Sequence, residues 1–70
     1  MTNKEYGALI RKLRQNAHMS QKELGMACGY DEASADVNVR SWESGKMLPT
    51  LRRIRDLAHA LHCSLETLIP

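Results

Sequence analysis

The sequence contains no phenylalanine, and its aromatic side chains are Tyr6, Tyr30 and Trp42 alone. An aromatic-rich core is therefore excluded, and packing must come mainly from Leu, Ile, Val, Ala and Met. Cysteine is also scarce, since Cys28 and Cys63 are too few for a disulfide scaffold. Each lies in an otherwise apolar helical stretch, which indicates a reduced, buried thiol.

Long apolar runs are missing as well. No stretch approaches the roughly 20 residues that cross a bilayer, and no signal-peptide pattern opens the chain. We therefore expect a cytoplasmic protein without a membrane partner. Catalytic Ser/His/Asp arrangements, phosphate-binding glycine loops and paired carboxylates are absent, and the His and Cys spacing fits no zinc site. The sequence predicts no enzyme, no cofactor and no metal.

What the sequence does contain is a short chain with unevenly placed charge. Its 70 residues predict one domain over residues 1–70. A net charge of +2 permits nucleic-acid binding without indicating it. The basic residues form two zones suited to phosphates, Lys4, Arg11, Lys12, Arg14 and Lys22 in the first third and Arg52, Arg53 and Arg55 later.

Capping patterns predict where the first two helices begin. Thr2 and Glu5 have the spacing of a capping box, and the apolar stripe that follows predicts a helix from about residue 3 to about 15. Ser20 and Glu23 form a second box before a short apolar run. Gly29 then supplies the left-handed residue that ends the second helix.

Three further helices follow from apolar spacing and caps. Ala35, Val39 and Trp42 recur at i, i+4 and i+7, which predicts a third helix with either Asp31 or Ser34 as its cap. A fourth helix and a last short one follow, with three residues marking their limits: Thr50 and Ser64 as caps and Pro70 as the stop. No strand pattern is present. We expect an all-α, compact five-helix domain.

The order and spacing of several motifs carry a resemblance. They are Ser20-Gln21-Lys22-Glu23-Leu24, Gly29, Val39, Trp42-Glu43-Ser44-Gly45-Lys46, Pro49, Leu57-Ala58-His59-Ala60-Leu61 and Ser64-Leu65-Glu66-Thr67-Leu68. From about residue 5 to 69 the chain resembles the phage repressor and Cro-like helix-turn-helix family, of the xenobiotic-response-element type. It resembles a variant with a longer turn, and it has Gly25 and His62 where the family usually has Ala and Gly.

The resemblance implies that the second and third helices form a helix-turn-helix and that the third enters the major groove. It implies base reading by Asp36, Val37 and Ser41, with Asn38 and Arg40 beside them. Their chemistry is suitable, because Asn and Arg can pair bidentately with adenine and guanine, and Val can meet a thymine methyl. Phosphates repel Asp36 unless it accepts from a cytosine amino group or caps the helix. An ordinary solvated helix face is the alternative.

Other residues are assigned to the DNA backbone and to support. Gln21 begins the second helix, where free amides and the helix dipole favour a phosphate, and the resemblance gives it a backbone contact. Lys22, Lys46 and Arg11 are further phosphate candidates. The resemblance also implies a structural ion pair, Arg14–Glu43.

These assignments predict a sequence-specific DNA-binding transcriptional regulator. We expect a repressor that binds a palindromic operator in double-stranded DNA as a homodimer. The alternative is an antitoxin or adaptor that uses the same fold to bind a protein partner.

Overall fold

A computed structural model describes residues 1–70, which form five helices and no strand. The helices are α1 (Asn3–Asn16), α2 (Gln21–Ala27), α3 (Ala35–Glu43), α4 (Leu51–Ala60) and α5 (Leu65–Leu68). This confirms the predicted all-α, five-helix architecture. The first helix runs one residue beyond its expected end.

Capping hydrogen bonds fix the starts of α1 and α2. The hydroxyls of Thr2 and Ser20 accept from the backbone amides of Glu5 and Glu23, and each Glu carboxylate accepts from its partner's backbone amide. The hydrogen bonds from Thr2 and Ser20 lower the pKa values of the two glutamates below their ordinary range. The capping boxes predicted from the sequence are therefore both formed.

Three helices end in a left-handed residue, and the residue after it donates a backbone hydrogen bond to the last turn of the helix. His18, Gly29 and His62 have φ values of 58°, 94° and 55° after α1, α2 and α4. In each case the amide of the following residue reaches a carbonyl five positions back, as Cys63 does to Ala58 at 3.0 Å. Only one of the three is glycine, so the two histidines adopt a backbone conformation that costs most residues energy.

Of the two caps expected for α3, Ser34 does not cap the helix through its side chain. Ser34 holds the capping position, but its side chain makes no capping hydrogen bond. The Asp31 carboxylate instead accepts from the Ser34 amide at 3.0 Å and from its hydroxyl at 2.7 Å. The Asp31 carbonyl also accepts from the Ala35 amide. Asp31 therefore anchors the long turn that leads into α3.

The core is aliphatic around one tryptophan. Eleven buried residues form one cluster: Tyr6, Ile10, Leu24, Cys28, Val39, Trp42, Ile54, Leu57, Ala58, Leu61 and Leu68. The Tyr6 hydroxyl donates to the Leu68 carbonyl, which joins the first helix to the last. Burial raises the pKa of the Cys28 thiol to about 11, so the thiol stays neutral near pH 7. Both cysteines are free thiols.

Two glycines allow the helices to approach α3 at backbone distance. A Cβ added at Gly25 in α2 would lie 2.6 Å from the carbonyl carbon of Ala35. One added at Gly7 in α1 would lie 2.8 Å from that of Glu43. Both distances are too short for real atoms, so α1 and α2 meet opposite ends of α3 without side chains between them.

We predict that Gly25→Ala destabilises the domain by about 1–3 kcal/mol, because the new methyl overpacks the contact with Ala35. Helix propensity alone predicts the opposite sign, a gain of about 1 kcal/mol. Urea unfolding followed by circular dichroism measures the difference. The control is Ala8→Gly on the exposed side of α1, which should lose about 1 kcal/mol through propensity. A stabilised Gly25→Ala variant would contradict the close contact.

Candidate nucleic-acid interface

Helix α3 presents one buried and one open face. Ala35, Val39 and Trp42 are buried against the rest of the domain. The remaining positions of this nine-residue helix are exposed or half-buried. An isolated helix of this size fits a major groove about 12 Å wide. The long turn and the two glycine contacts hold it at the surface.

The predicted base-reading residues differ in how far their side chains are exposed to solvent and in whether they are already hydrogen-bonded. The side chain of Val37 is 54% exposed, and that of Arg40 is 63% exposed. Ser41 is half-buried. Asn38 is half-buried too, and its amide nitrogen donates to the Ser34 carbonyl at 2.8 Å. The open face of α3 is thus dominated by Val37 and Arg40, and base contact by any of these side chains stays a prediction.

Asp36 does not act as a helix cap. Its carboxylate accepts from Nη2 of Arg40 at 3.1 Å, one helical turn later. Both side chains remain accessible, at 39% and 63% exposure. Their i, i+4 spacing is a sequence signal for such a pair. It went unused in the sequence analysis, where the two residues were considered separately.

The predicted phosphate contacts fall into two kinds. Lys22 is occupied, because its Nζ lies 2.6 Å from an Oε1 of Glu32 in the long turn. Hydrogen bonding to Lys22 lowers the pKa of the Glu32 carboxyl. Arg11 and Lys46 are exposed and make no ion pair. Arg11 lies one turn after Gly7, the glycine of α1 that meets the end of α3.

A polar network connects the ends of three helices. Glu43 at the end of α3 accepts from Arg14 Nε at 2.6 Å and from its Nη2 at 3.2 Å. The Glu43 carboxylate also accepts from Nε2 of the Gln21 side chain at 3.1 Å. Arg14 Nη1 donates to the Met19 carbonyl at 2.9 Å. The side chains of the pair are only 12% and 6% exposed, so water screens the interaction weakly.

The Gln21 side chain can therefore make two contacts, one to Glu43 and one to a phosphate. One of its amide hydrogens goes to Glu43, and a second remains for a phosphate oxygen. Because the contact with Glu43 fixes the side chain, a phosphate contact at Gln21 needs less ordering on binding.

The sequence analysis missed the part played by Arg53. Its guanidinium stacks over the Tyr30 ring, 4.0 Å from the centroid, and donates to the Cys28 carbonyl. It also lies 3.7 Å from Asp56. The ring of Tyr30 in turn lies 5.9 Å from that of Trp42. Arg53 thus connects α4 to the long turn, whereas the sequence analysis placed it in a basic zone suited to phosphates.

Three features that mark other kinds of site are absent from the structure. The described surface holds no pocket. No group of three or more His, Cys, Asp or Glu side chains is arranged to hold a metal ion. No helix has both the length and the apolar character needed to span a bilayer.

We predict that Glu43→Gln lowers the free energy of unfolding by about 2 kcal/mol, because it removes the charge that the poorly exposed Arg14 guanidinium binds. Glu43→Ala should cost about 3–5 kcal/mol, since the guanidinium then loses its partner altogether. Denaturant unfolding measures both. Glu32→Gln is the control: it removes the same charge from an exposed pair and should leave stability nearly unchanged. Equal effects at positions 43 and 32 would contradict the distinction.

Comparison with known proteins supplies the family. No curated protein and no solved structure gives a significant match. A family model described as helix-turn-helix matches residues 10–68, which is most of the chain and includes all of α2 and α3. The chain therefore belongs to the helix-turn-helix family of Cro/C1-type DNA-binding regulators.

Proposed function

We propose that the protein is a sequence-specific repressor that binds a palindromic operator as a homodimer, with α3 in the major groove. The observation that carries the proposal is the open face of α3. It presents Val37 and Arg40, side chains that match a thymine methyl and a guanine edge. Ser41 and Asn38 border this face and add polar groups.

Side chains around α3 are suited to hold the DNA backbone. Lys46 directly follows the helix and its ammonium group is free of carboxylates. Gln21 and Lys22 lie at the start of α2, and Arg11 is exposed on α1, one turn after the glycine that meets the end of α3. We assign these four to phosphates, because contacts to the backbone set register and orientation without reading sequence.

The dimer is proposed from an exposed apolar pair. Leu65 and Ile69, in and after α5, are 37% and 52% exposed. A two-fold dimer formed through these residues would carry two copies of α3, which is the number that a two-fold operator requires. A cytoplasmic location and the absence of catalysis and cofactors belong to the same proposal.

The test is selection of random-sequence DNA duplexes by the purified full chain at about 50 and about 200 mM salt. We expect enrichment of a palindromic motif that resists the higher salt, because base contacts lose less affinity with salt than phosphate contacts do. Sedimentation of the protein with the selected duplex gives the stoichiometry, expected to be two chains per site.

Two outcomes contradict the proposal. Enrichment of a single, non-repeated half-site bound by one chain would remove the dimer and the palindrome. Weak, salt-sensitive binding without any enrichment would remove sequence reading. That second result would favour an antitoxin or adaptor that binds a protein partner.

Lys46→Ala should weaken binding to all duplexes alike and reduce the slope of log affinity against log salt by about one, because one phosphate contact is lost. The measurement is a salt titration on the selected duplex and on an unrelated one. Lys12→Ala on the exposed side of α1 is the matched control, because Lys12 belongs to the first basic zone but is not one of the four residues that we assign to phosphates. A change of base preference in the Lys46 variant would show that its role is not confined to the backbone.

A further inference from the structure

We propose that Asp36 and Arg40 act as one guanine-reading unit, in which the carboxylate holds the guanidinium ready to pair with a guanine edge. The inference rests on the proposed function and names the base that α3 selects. It differs from the two separate roles that the sequence analysis considered for Asp36, an acceptor for cytosine or a helix cap.

The geometry indicates that the Asp36 carboxylate orients Arg40, so that the two side chains act together. Asp36 and Arg40 are one turn apart on α3, with Oδ2 of the carboxylate 3.1 Å from Nη2 of the guanidinium. Asp36 makes no hydrogen bond to a backbone amide at the helix start. The amides of Ser34 and Ala35 donate instead to the side chain and the carbonyl of Asp31. The Asp36 carboxylate is therefore directed along the open face, toward Arg40.

The pairing leaves enough donors for a base. A guanidinium carries five N–H groups, and one hydrogen of Nη2 suffices for Asp36. The other hydrogen of Nη2 and one on Nη1 still form a planar fork. That fork matches O6 and N7 of guanine, the two acceptors on its major-groove edge. Because the pair favours one orientation of Arg40 before binding, less side-chain freedom is lost when the contact forms.

Electrostatics favours a base over a phosphate for this arginine. An unpaired arginine at the protein surface gains most from the nearest phosphate, whatever the sequence. Asp36 cancels that charge locally, and its own carboxylate is repelled by phosphates. The guanine edge carries no net charge but offers two acceptors, so the paired arginine still gains from it. The pair thus adds discrimination between sequences without adding sequence-independent affinity.

A second exposed ion pair offers the matched control. Lys22 and Glu32 carry the same charges and lie close together at 2.6 Å, but neither is on α3. Lysine is a point charge without a planar fork. Glu32→Gln therefore removes one negative charge near the interface without touching the proposed reading unit, and should release Lys22 for a phosphate.

The experiment compares the unaltered protein with Asp36→Asn, Arg40→Lys and Glu32→Gln. Each is used to select duplexes from the random library. Affinity is then measured across a salt series for the duplex selected by the unaltered protein and for a copy in which the guanine assigned to Arg40 is replaced by adenine. Circular dichroism and thermal unfolding of each variant confirm that these exposed substitutions leave the fold intact.

We expect a guanine in each selected half-site, with a preference over adenine of at least about 10-fold. Asp36→Asn should reduce this preference several-fold, strengthen binding to unrelated DNA and steepen the salt slope by about one, because the freed arginine takes a phosphate. Arg40→Lys should abolish the preference while the charge is kept. Glu32→Gln should strengthen binding to both duplexes equally.

Three results would overturn the inference. A selected motif whose guanine preference survives Asp36→Asn would show that Arg40 needs no support. Loss of a cytosine preference, with the guanine preference kept, would show that Asp36 reads a base itself. A motif unaffected by both substitutions would assign sequence reading to residues other than this pair, while leaving the proposed function standing. If the unaltered protein enriched no motif at all, the proposed function would fail, and this inference with it.

Discussion

The approach of α2 to α3 at backbone distance is the constraint on which the rest of the structure depends. Gly25 leaves no space for even a methyl group against Ala35, and Gly7 repeats this at the other end of α3. Helices of seven and nine residues are too short to be stable alone, so they exist only through such contacts. Two side-chain-free contacts fix the distance and tilt of α3 more tightly than flexible side chains would.

The Glu43 network adds a polar constraint to that apolar one. Close packing fixes how near the helices lie, whereas the hydrogen bonds from Arg14 and Gln21 to Glu43 hold the last residue of α3 and so oppose rotation of the helix about its axis. Rotation decides which side chains face outward, and hence whether Val37 and Arg40 present themselves to a groove. Because Gln21 is also a candidate for a phosphate contact, the same network joins the support of α3 to the surface that would hold the backbone.

Much of the fold could be predicted from the sequence because its signals are local. The capping boxes at Thr2 and Ser20 depend on residues three apart, and the core stripe of Ala35, Val39 and Trp42 depends on helical spacing alone. The cap of α3 could not be chosen in this way, because Asp31 and Ser34 were equally suitable by composition. Only the path of the turn decides that Asp31 accepts from Ser34.

The state of the candidate site was harder to predict, because it depends on contacts between distant residues. Lys22 meets Glu32 ten positions away across the long turn, and Arg53 crosses from α4 to Tyr30 and the Cys28 carbonyl. No periodicity signals either contact. Both change what a basic residue is available to do, since Lys22 must leave a carboxylate before it meets a phosphate. Residue identity is therefore a weak guide to charge that is free to bind.

Ion pairs occupy some of the basic side chains and leave others free. Four of the ten basic residues are paired with carboxylates, while Glu5, Glu23 and Asp31 accept hydrogen bonds at helix starts and turns. Six basic side chains remain outside ion pairs, against four acidic ones, and of these four only Glu66 makes no side-chain hydrogen bond. The Debye length is about 10 Å at 0.1 M salt, so an approaching phosphate responds to nearby charges rather than to the sum. Internal use of the carboxylates thus leaves a domain of charge +2 with unpaired cations at its surface, which is what contact with DNA requires.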